Sequence, residues 1–281
     1  MTKILGESGR SSIKTFYPEH GEWASFAYPE HGEWASFAYP EHGEWASFAY
    51  LEIEGLSLIE NFAKIAFAMD IYWGGQALFK IKGKTATIVI DPFDPEIGLK
   101  LPKDLSADAV LVTHSHHDHN NSAAVLGNPL VFDGPGEYEV KGAIITGISS
   151  FHDNENGAQR GLNTIYQLII DDVNIVHLGD LGQSILSEAQ VAQIETADIL
   201  LIPVGGVYTI SGKIASNIVS QLEPKIIIPM HYKVEGLKFE LEGVENFLKE
   251  MGAENVIPQP KLTITKDKLP DEPQVVVLSK S

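Results

Sequence analysis

Cysteine is absent from all 281 residues, which excludes disulfides, thiolate catalysis, Cys-ligated zinc and iron–sulfur clusters at once. Any metal must sit on His, Asp or Glu. Basic residues are scarce: 20 Lys and Arg stand against 38 Asp and Glu, a formal net charge of -18, and such a chain repels phosphate backbones. No nucleic-acid partner is expected. No stretch approaches the ~18 consecutive apolar residues of a membrane span, and Met1 to Thr15 has no continuous apolar core of the kind a secretory signal carries. The expectation is a soluble, cytoplasmic protein with no membrane partner. What is present suffices for a core, since 44% of the residues are hydrophobic and the length suits one large or two small domains on a ~150-residue prior.

The undecapeptide YPEHGEWASFA occurs three times without a mismatch, at 17–27, 28–38 and 39–49. An 11-residue period can drive a right-handed helical supercoil, but each copy carries a Pro and, three residues later, a Gly, which disfavours helix. Packed repeats have atypical end units; identical copies point instead to tandem duplication and to disorder or loose structure. His20, His31 and His42 recur there beside Trp23, Trp34 and Trp45, a pattern in which plain filler outweighs a weak metal-binding tail. Leu56 to Met69 suits a short amphipathic helix, with Glu60 and Lys64 at i,i+4. Residues 1–68 are read as an extension and 69–281 as the globular domain.

From Met69 onward, short Val/Ile-rich runs alternate with Gly/Asp/Pro turns. Of the charged residues, 4 basic and 10 acidic precede Met69, leaving 16 and 28 in the domain and a net charge of -12 there. Strands are predicted near 70–73, 77–81, 86–91, 109–113, 143–149, 165–170, 173–178, 198–203 and 225–229. Helices are predicted near 120–126, 187–194, 213–222 and 241–251, the last stopped by Gly252. Runs such as AVLVT, DILLIP and KIIIP are apolar on both faces, so the class is α/β (α+β), with sheets covered by helices.

The densest signal is Thr113-His114-Ser115-His116-His117-Asp118-His119, an HxHxDH pattern directly after a strand. Residues two apart in an extended segment point the same way, so His114 and His116 can share one metal, and the following turn swings Asp118 and His119 toward a second. His152, Asp180 and His231 each follow a predicted strand. The expected division is His114, His116 and His152 on one cation and Asp118, His119 and His231 on the other, with Asp180 bridging. A water shared by two such cations loses a proton near neutral pH and becomes a nucleophile, with Asp118 handling protons. The domain holds seven histidines and this constellation uses five; His117 and His177 are left for other roles.

Asp91 in IVIDPF, the HxHxDH motif, His152, Asp180 and His231 together, in this order, resemble the metallo-β-lactamase superfamily over roughly 69–260. The resemblance implies an αββα four-layer sandwich with a dinuclear site at one edge, Asp91 as structural support for the ligand loop, and hydrolysis at a carbonyl or phosphoryl centre. PVGGVYTISG and EPKIIIPMHY are similar to the small single-domain branch of ascorbate-6-phosphate lactonase-like hydrolases. The missing cysteine argues against the commonest true β-lactamases. The short segment after His231 argues against glyoxalase II-like thioesterases, the acidic charge against the nucleases, and His116 against flavodiiron relatives.

Substrate-pocket candidates are Tyr208 and Thr209, Arg160 and Asn163, and Tyr232 beside His231. A Tyr or Asn can polarise a substrate oxygen, and Arg160 can pair with a carboxylate or phosphate. Gly205 and Gly206 are read as turn formers. The leading expectation is a dinuclear metal-dependent hydrolase of a small-molecule lactone, ester or phosphoryl substrate, with zinc as the default metal and manganese or iron as alternatives. A metal-binding module without catalysis, a sensor or scaffold, is the competing reading, and flavin-linked di-iron chemistry ranks last. The oligomeric state is left open.

Overall fold

The computed structural model describes residues 24–27, 34–37 and 68–281, and the chain divides into two units between Ala66 and Phe67. In the first unit β1 (Ala24–Ala27) pairs antiparallel with β2 (Trp34–Phe37), overlapping stretches of neighbouring repeats offset by one residue. The rest of the extension, with the disorder expected of it and residues 56–67 of the helix expected over Leu56 to Met69, lies outside the described residues, and Met69 opens β3 instead.

The second unit builds two sheets. One has six strands: β3 (Met69–Gly75), β4 (Leu78–Lys82), β5 (Thr87–Ile90), β6 (Ala109–Leu111), β7 (Leu130–Phe132) and, at its far edge beside β3, β14 (Leu262–Ile264). The other has seven: β8 (Gly136–Val140), β9 (Ala143–Phe151), β10 (Leu162–Ile170), β11 (Val173–His177), β12 (Ile199–Pro203), β13 (Ile226–Met230) and β15 (Gln274–Val275), in the order β15-β13-β12-β11-β10-β9-β8. Period-2 alternation assigns the faces. Ile88 and Ile90 of β5 and Ala109 and Leu111 of β6 enter the core between the sheets, while Val89 and Val110 enter a second cluster on the outer face with Phe93, Ile97 and Leu105.

Strands β11, β12 and β13 are parallel, as such pairs must be when each connection crosses over. The crossovers are α1 (Glu188–Ile194) and α2 (Gly212–Leu222). Ser187 and Gln190 form a capping box on α1, Ser211 caps α2, and α2 ends at Glu223 in the left-handed region just before Pro224. A third helix, α3 (Glu245–Glu250), packs on α2. No helix among the described residues is long and apolar enough to cross a membrane.

All nine predicted strands are present within a few residues of their expected ends; two helices differ. The one expected at 120–126 is a single 3-10 turn, Ser122–Ala124, because the Asn121 backbone N–H bonds Pro92 O and the Asn120 side chain bonds Ser115 O. The one expected at 241–251 begins only at Glu245, since Glu242 is drawn into extended pairing with Gly205 O and Lys233 N. The layer over the six-stranded sheet is therefore made of 3-10 turns and loops, while α-helices cover the other sheet.

Two polar struts cross between the sheets. Tyr166 of β10, fully buried, directs its hydroxyl at Val112 O and Phe132 O, each 3.1 Å away. His177, at the end of β11, accepts the Gly179 N–H at Nδ1 (3.0 Å), so its Nε2–H donates to Ala77 O at 2.9 Å. Replacing Tyr166 by Phe keeps the ring and loses the strut; the expected cost is about 1 kcal/mol, read as a lower urea midpoint at unchanged m-value.

Candidate metal centre

Three ligand-bearing loops leave the seven-stranded sheet in the same sense, and a fourth comes from the six-stranded sheet. β9 and β11 both pair antiparallel with β10 and so run in the same direction as each other, and β11 is parallel to β12 and β13, so Phe151, His177 and Met230 end strands at one edge. His152, Asp180 and His231 follow there. From the other sheet, parallel β5 and β6 deliver Asp91 and the 113–119 segment.

The seven predicted ligands fall into two groups: His114, His116 and His152, and then Asp118, His119, Asp180 and His231. In the first, His114 Nε2 and His116 Nδ1 are 3.0 Å apart. In the second, His119 Nε2 lies 3.4 Å from Asp118 Oδ2, and His231 Nε2 lies 3.9 Å from the same oxygen. Asp180 Oδ2 stands between the groups, 3.3 Å from His152 Nε2, 3.3 Å from His119 Nε2 and 3.2 Å from His231 Nε2. Its other oxygen, Oδ1, is buried without a hydrogen-bond partner, as is His119 Nε2. Buried polar atoms left unbonded are costly. Here they are imidazole and carboxylate donors facing one another at spacings that suit intervening cations, so the residues fit divalent metals bound by N and O.

The ring tautomers are set from behind. Asp91, fully buried, accepts the Thr113 N–H on Oδ1 (2.8 Å) and the Thr113 hydroxyl on Oδ2 (2.7 Å), and His119 Nδ1–H donates to Oδ2 at 2.8 Å. With its proton committed to Asp91, the Thr113 oxygen accepts from His114 Nδ1–H at 3.0 Å. Both rings thus turn Nε2 into the site, one from each group. Asp91 does this at φ 49, and His231 of the second group adopts φ 51, left-handed backbone at both.

Burial and neighbouring imidazoles hold His114 down to about 2, and burial lowers His116 too, so these two rings offer neutral lone pairs. In the second, burial opposes charge on His119 and His231, but Asp180 and its fellow carboxylates outweigh it. His119 is raised well above its ordinary value and His231 to about 9. Burial likewise opposes ionisation of Asp118 and Asp180, and the facing imidazoles drive both well below the usual carboxylate range.

Of the pocket candidates, Arg160, Tyr208 and Thr209 line one cavity of about 210 Å³ together with His152. Asn163 does not. It is buried beneath the site, where its amide N–H groups donate to Ser150 Oγ and Leu178 O, and its Oδ1 accepts the Asp180 N–H at 2.9 Å. It aims the Asp180 loop instead of meeting substrate. Tyr232 is also withdrawn, 6% exposed and packed on Trp73 with ring centroids 4.9 Å apart. His177 is a strut and His117 is exposed, as neither was assigned to a metal. Sequence reading missed Thr113 and Gln76. Gln76 is buried at the β3–β4 turn, its O accepts the His231 N–H at 3.1 Å, and its Nε2 lies 3.3 Å from His231 Nε2. The two adjacent glycines of WGGQ mark that tight turn and were its available signal. Gly205 is a close-approach residue, because a Cβ there would strike His231 O.

Two outcomes follow for metal affinity. Asp91→Asn puts an NH2 group where His119 and Thr113 need an acceptor, and the expected loss is about 10–100-fold in affinity, measured by competition with a chromophoric chelator. Because the facing carboxylates raise both His119 and His231, cation binding at Nε2 competes with protons, so apparent affinity rises with pH at least up to about 9, where His231 titrates. Calorimetry in buffers of different ionisation heat should detect proton release at pH 7.

A family model described as the beta-lactamase superfamily domain matches residues 70–231. A metal-dependent hydrolase of Thermoplasma acidophilum is 31% identical over 222 residues, 68% of this chain and 96% of that protein. One of Thermococcus onnurineus is 31% identical over 189 residues, 56% of this chain and 82% of the relative. A crystal structure from Thermotoga maritima, described as a candidate Zn-dependent hydrolase of the metallo-β-lactamase superfamily, superposes with a TM-score of 0.62 at 39% identity, covering 75% of this chain and 98% of that one. With its ordered ligand set, its two sheets and these matches, the chain belongs to the metallo-β-lactamase superfamily.

Proposed function

We propose that this chain is a metal-dependent hydrolase that holds two divalent cations, zinc by default, and cleaves a lactone, ester or phosphoryl bond of a small molecule. The observation that carries the reading is Asp180 Oδ2, which lies within 3.3 Å of imidazole nitrogens from both ligand groups. A carboxylate so placed is suited to bridging. When bound, such a pair of cations polarises the substrate oxygen and lowers the pKa of a shared water.

The chain's own residues supply orientation and proton handling. His114, His116 and His152 would hold one cation and Asp118, His119 and His231 the other. Asn163 fixes the loop that carries Asp180. Asp118, with 13% of its side chain exposed, is the most accessible of the second group, whose others are 0–3% exposed. That makes it the group best placed to exchange a proton with substrate or solvent. The size of the cavity beside His152 favours a small substrate, and the domain's net charge of -12 disfavours nucleic acid.

The test is elemental analysis of the purified full chain and of residues 69–281, each then assayed on a panel of lactones, phosphodiesters and thioesters. Near two metals per chain with turnover is expected in both. Asp180→Ala should abolish turnover and lower metal content while circular dichroism stays unchanged. Full turnover in that variant with both metals retained would refute the bridging role, and stoichiometric metal with no turnover on any substrate would favour a metal-binding module.

A further inference from the structure

The chain has two arginines, Arg10 and Arg160, so Arg160 carries the one guanidinium of residues 68–281. Its loop starts at the residue after a ligand: Asp153 accepts the backbone N–H groups of Glu155, Gly157, Gln159 and Arg160 itself, at 2.7–2.9 Å. One carboxylate thereby closes 153–160 into a fixed turn against His152. Across the cavity, Tyr208 takes the guanidinium over its ring, 5.7 Å from the centroid, and is itself braced edge-on by Phe239.

Among the described residues, the ion pairs made by Lys or Arg side chains all belong to lysines. Arg160 is only partly exposed, stacked and without a carboxylate partner. Of the acids lining the same cavity, Asp153 is engaged by four N–H groups and Glu155 is exposed. Stacking on an aromatic face fixes the plane of a guanidinium and leaves its N–H edge free for a bidentate oxyanion. An acidic domain that keeps its one arginine unpaired on the wall shared with a metal ligand has a site for substrate charge.

We infer that Arg160 is the specificity-determining residue of this centre and reads a carboxylate or phosphate on the substrate, so that the bond hydrolysed belongs to an anionic small molecule. The inference rests on the hydrolase reading, through the cavity that His152 and Arg160 share. Arg160 touches the distal anion, and the reacting bond lies toward His152.

Two measurements test it on the full chain. In the metal-loaded protein, kcat/KM is compared for p-nitrophenyl hemiglutarate, which carries a carboxylate, and the neutral p-nitrophenyl butyrate. The preference for the anionic ester should fall about 10–100-fold in Arg160→Ala, through KM, with partial recovery in Arg160→Lys; an unmoved preference overturns the inference. In the metal-free protein, the Arg160 Nε–H resonance, assigned as the one missing in Arg160→Lys, is titrated with monomethyl succinate, methyl phosphate and neutral dimethyl succinate. A saturating shift with an anion and none with the diester is expected, and the tighter anion identifies the group read. No shift with either anion, or an equal shift with the diester, overturns it. Anion shifts in a protein that hydrolyses nothing would leave the subsite standing and remove the hydrolase reading, whereas turnover with an unmoved preference would do the reverse.

Discussion

Everything at this centre depends on one buried carboxylate. Asp91 sits at the end of β5 with no solvent contact, a costly position for a charge unless hydrogen bonds replace the lost water. Three donors do so, and all three belong to the metal-bearing segment: the Thr113 N–H, the Thr113 hydroxyl and His119 Nδ1–H. The exchange works in both directions. The segment solvates the carboxylate, and the carboxylate decides which nitrogen of His119, and through Thr113 which nitrogen of His114, faces the ligands of the other sheet.

The fold's contribution is convergence. Parallel pairing of β5 with β6, and of β11 with β12 and β13, brings strand ends to common edges. Helices α1 and α2 supply the crossovers from β11 to β12 and from β12 to β13. Residues behind the site then convert approximate convergence into fixed geometry. Asn163 aims Asp180, Gln76 holds the His231 backbone, and Gly205 lets a neighbouring loop lie directly against His231.

The strands and the clustered His and Asp side chains were legible because each leaves a local trace: alternating or doubly apolar runs for strands, and His or Asp directly after them for the cluster. Asn163 and Tyr232 were misread for the same reason, since proximity in sequence to a loop or ligand does not say which way a side chain turns. Asn163 is the second residue of β10 and faces the buried side, satisfied by Leu178 O and Asp180 N; Tyr232 turns onto Trp73, more than 150 positions away. Strands β7 and β8 escaped notice because both are short edges, and the Glu and Gly of GEYEV are poor strand signals. The expected helices near 120 and 241 were lost to tertiary hydrogen bonds that no periodicity can register.

The struts from Tyr166 and His177 touch none of the metal ligands, yet they span the two sheets that carry them. The gap at the site edge is therefore spaced by protein alone. A scaffold of this kind has cross-links of its own, unlike small zinc domains whose folding free energy is the binding free energy. The ligand-bearing loops accordingly start from strand ends that the chain's own hydrogen bonds hold at a set separation, and their geometry is inherited from the sheets behind them.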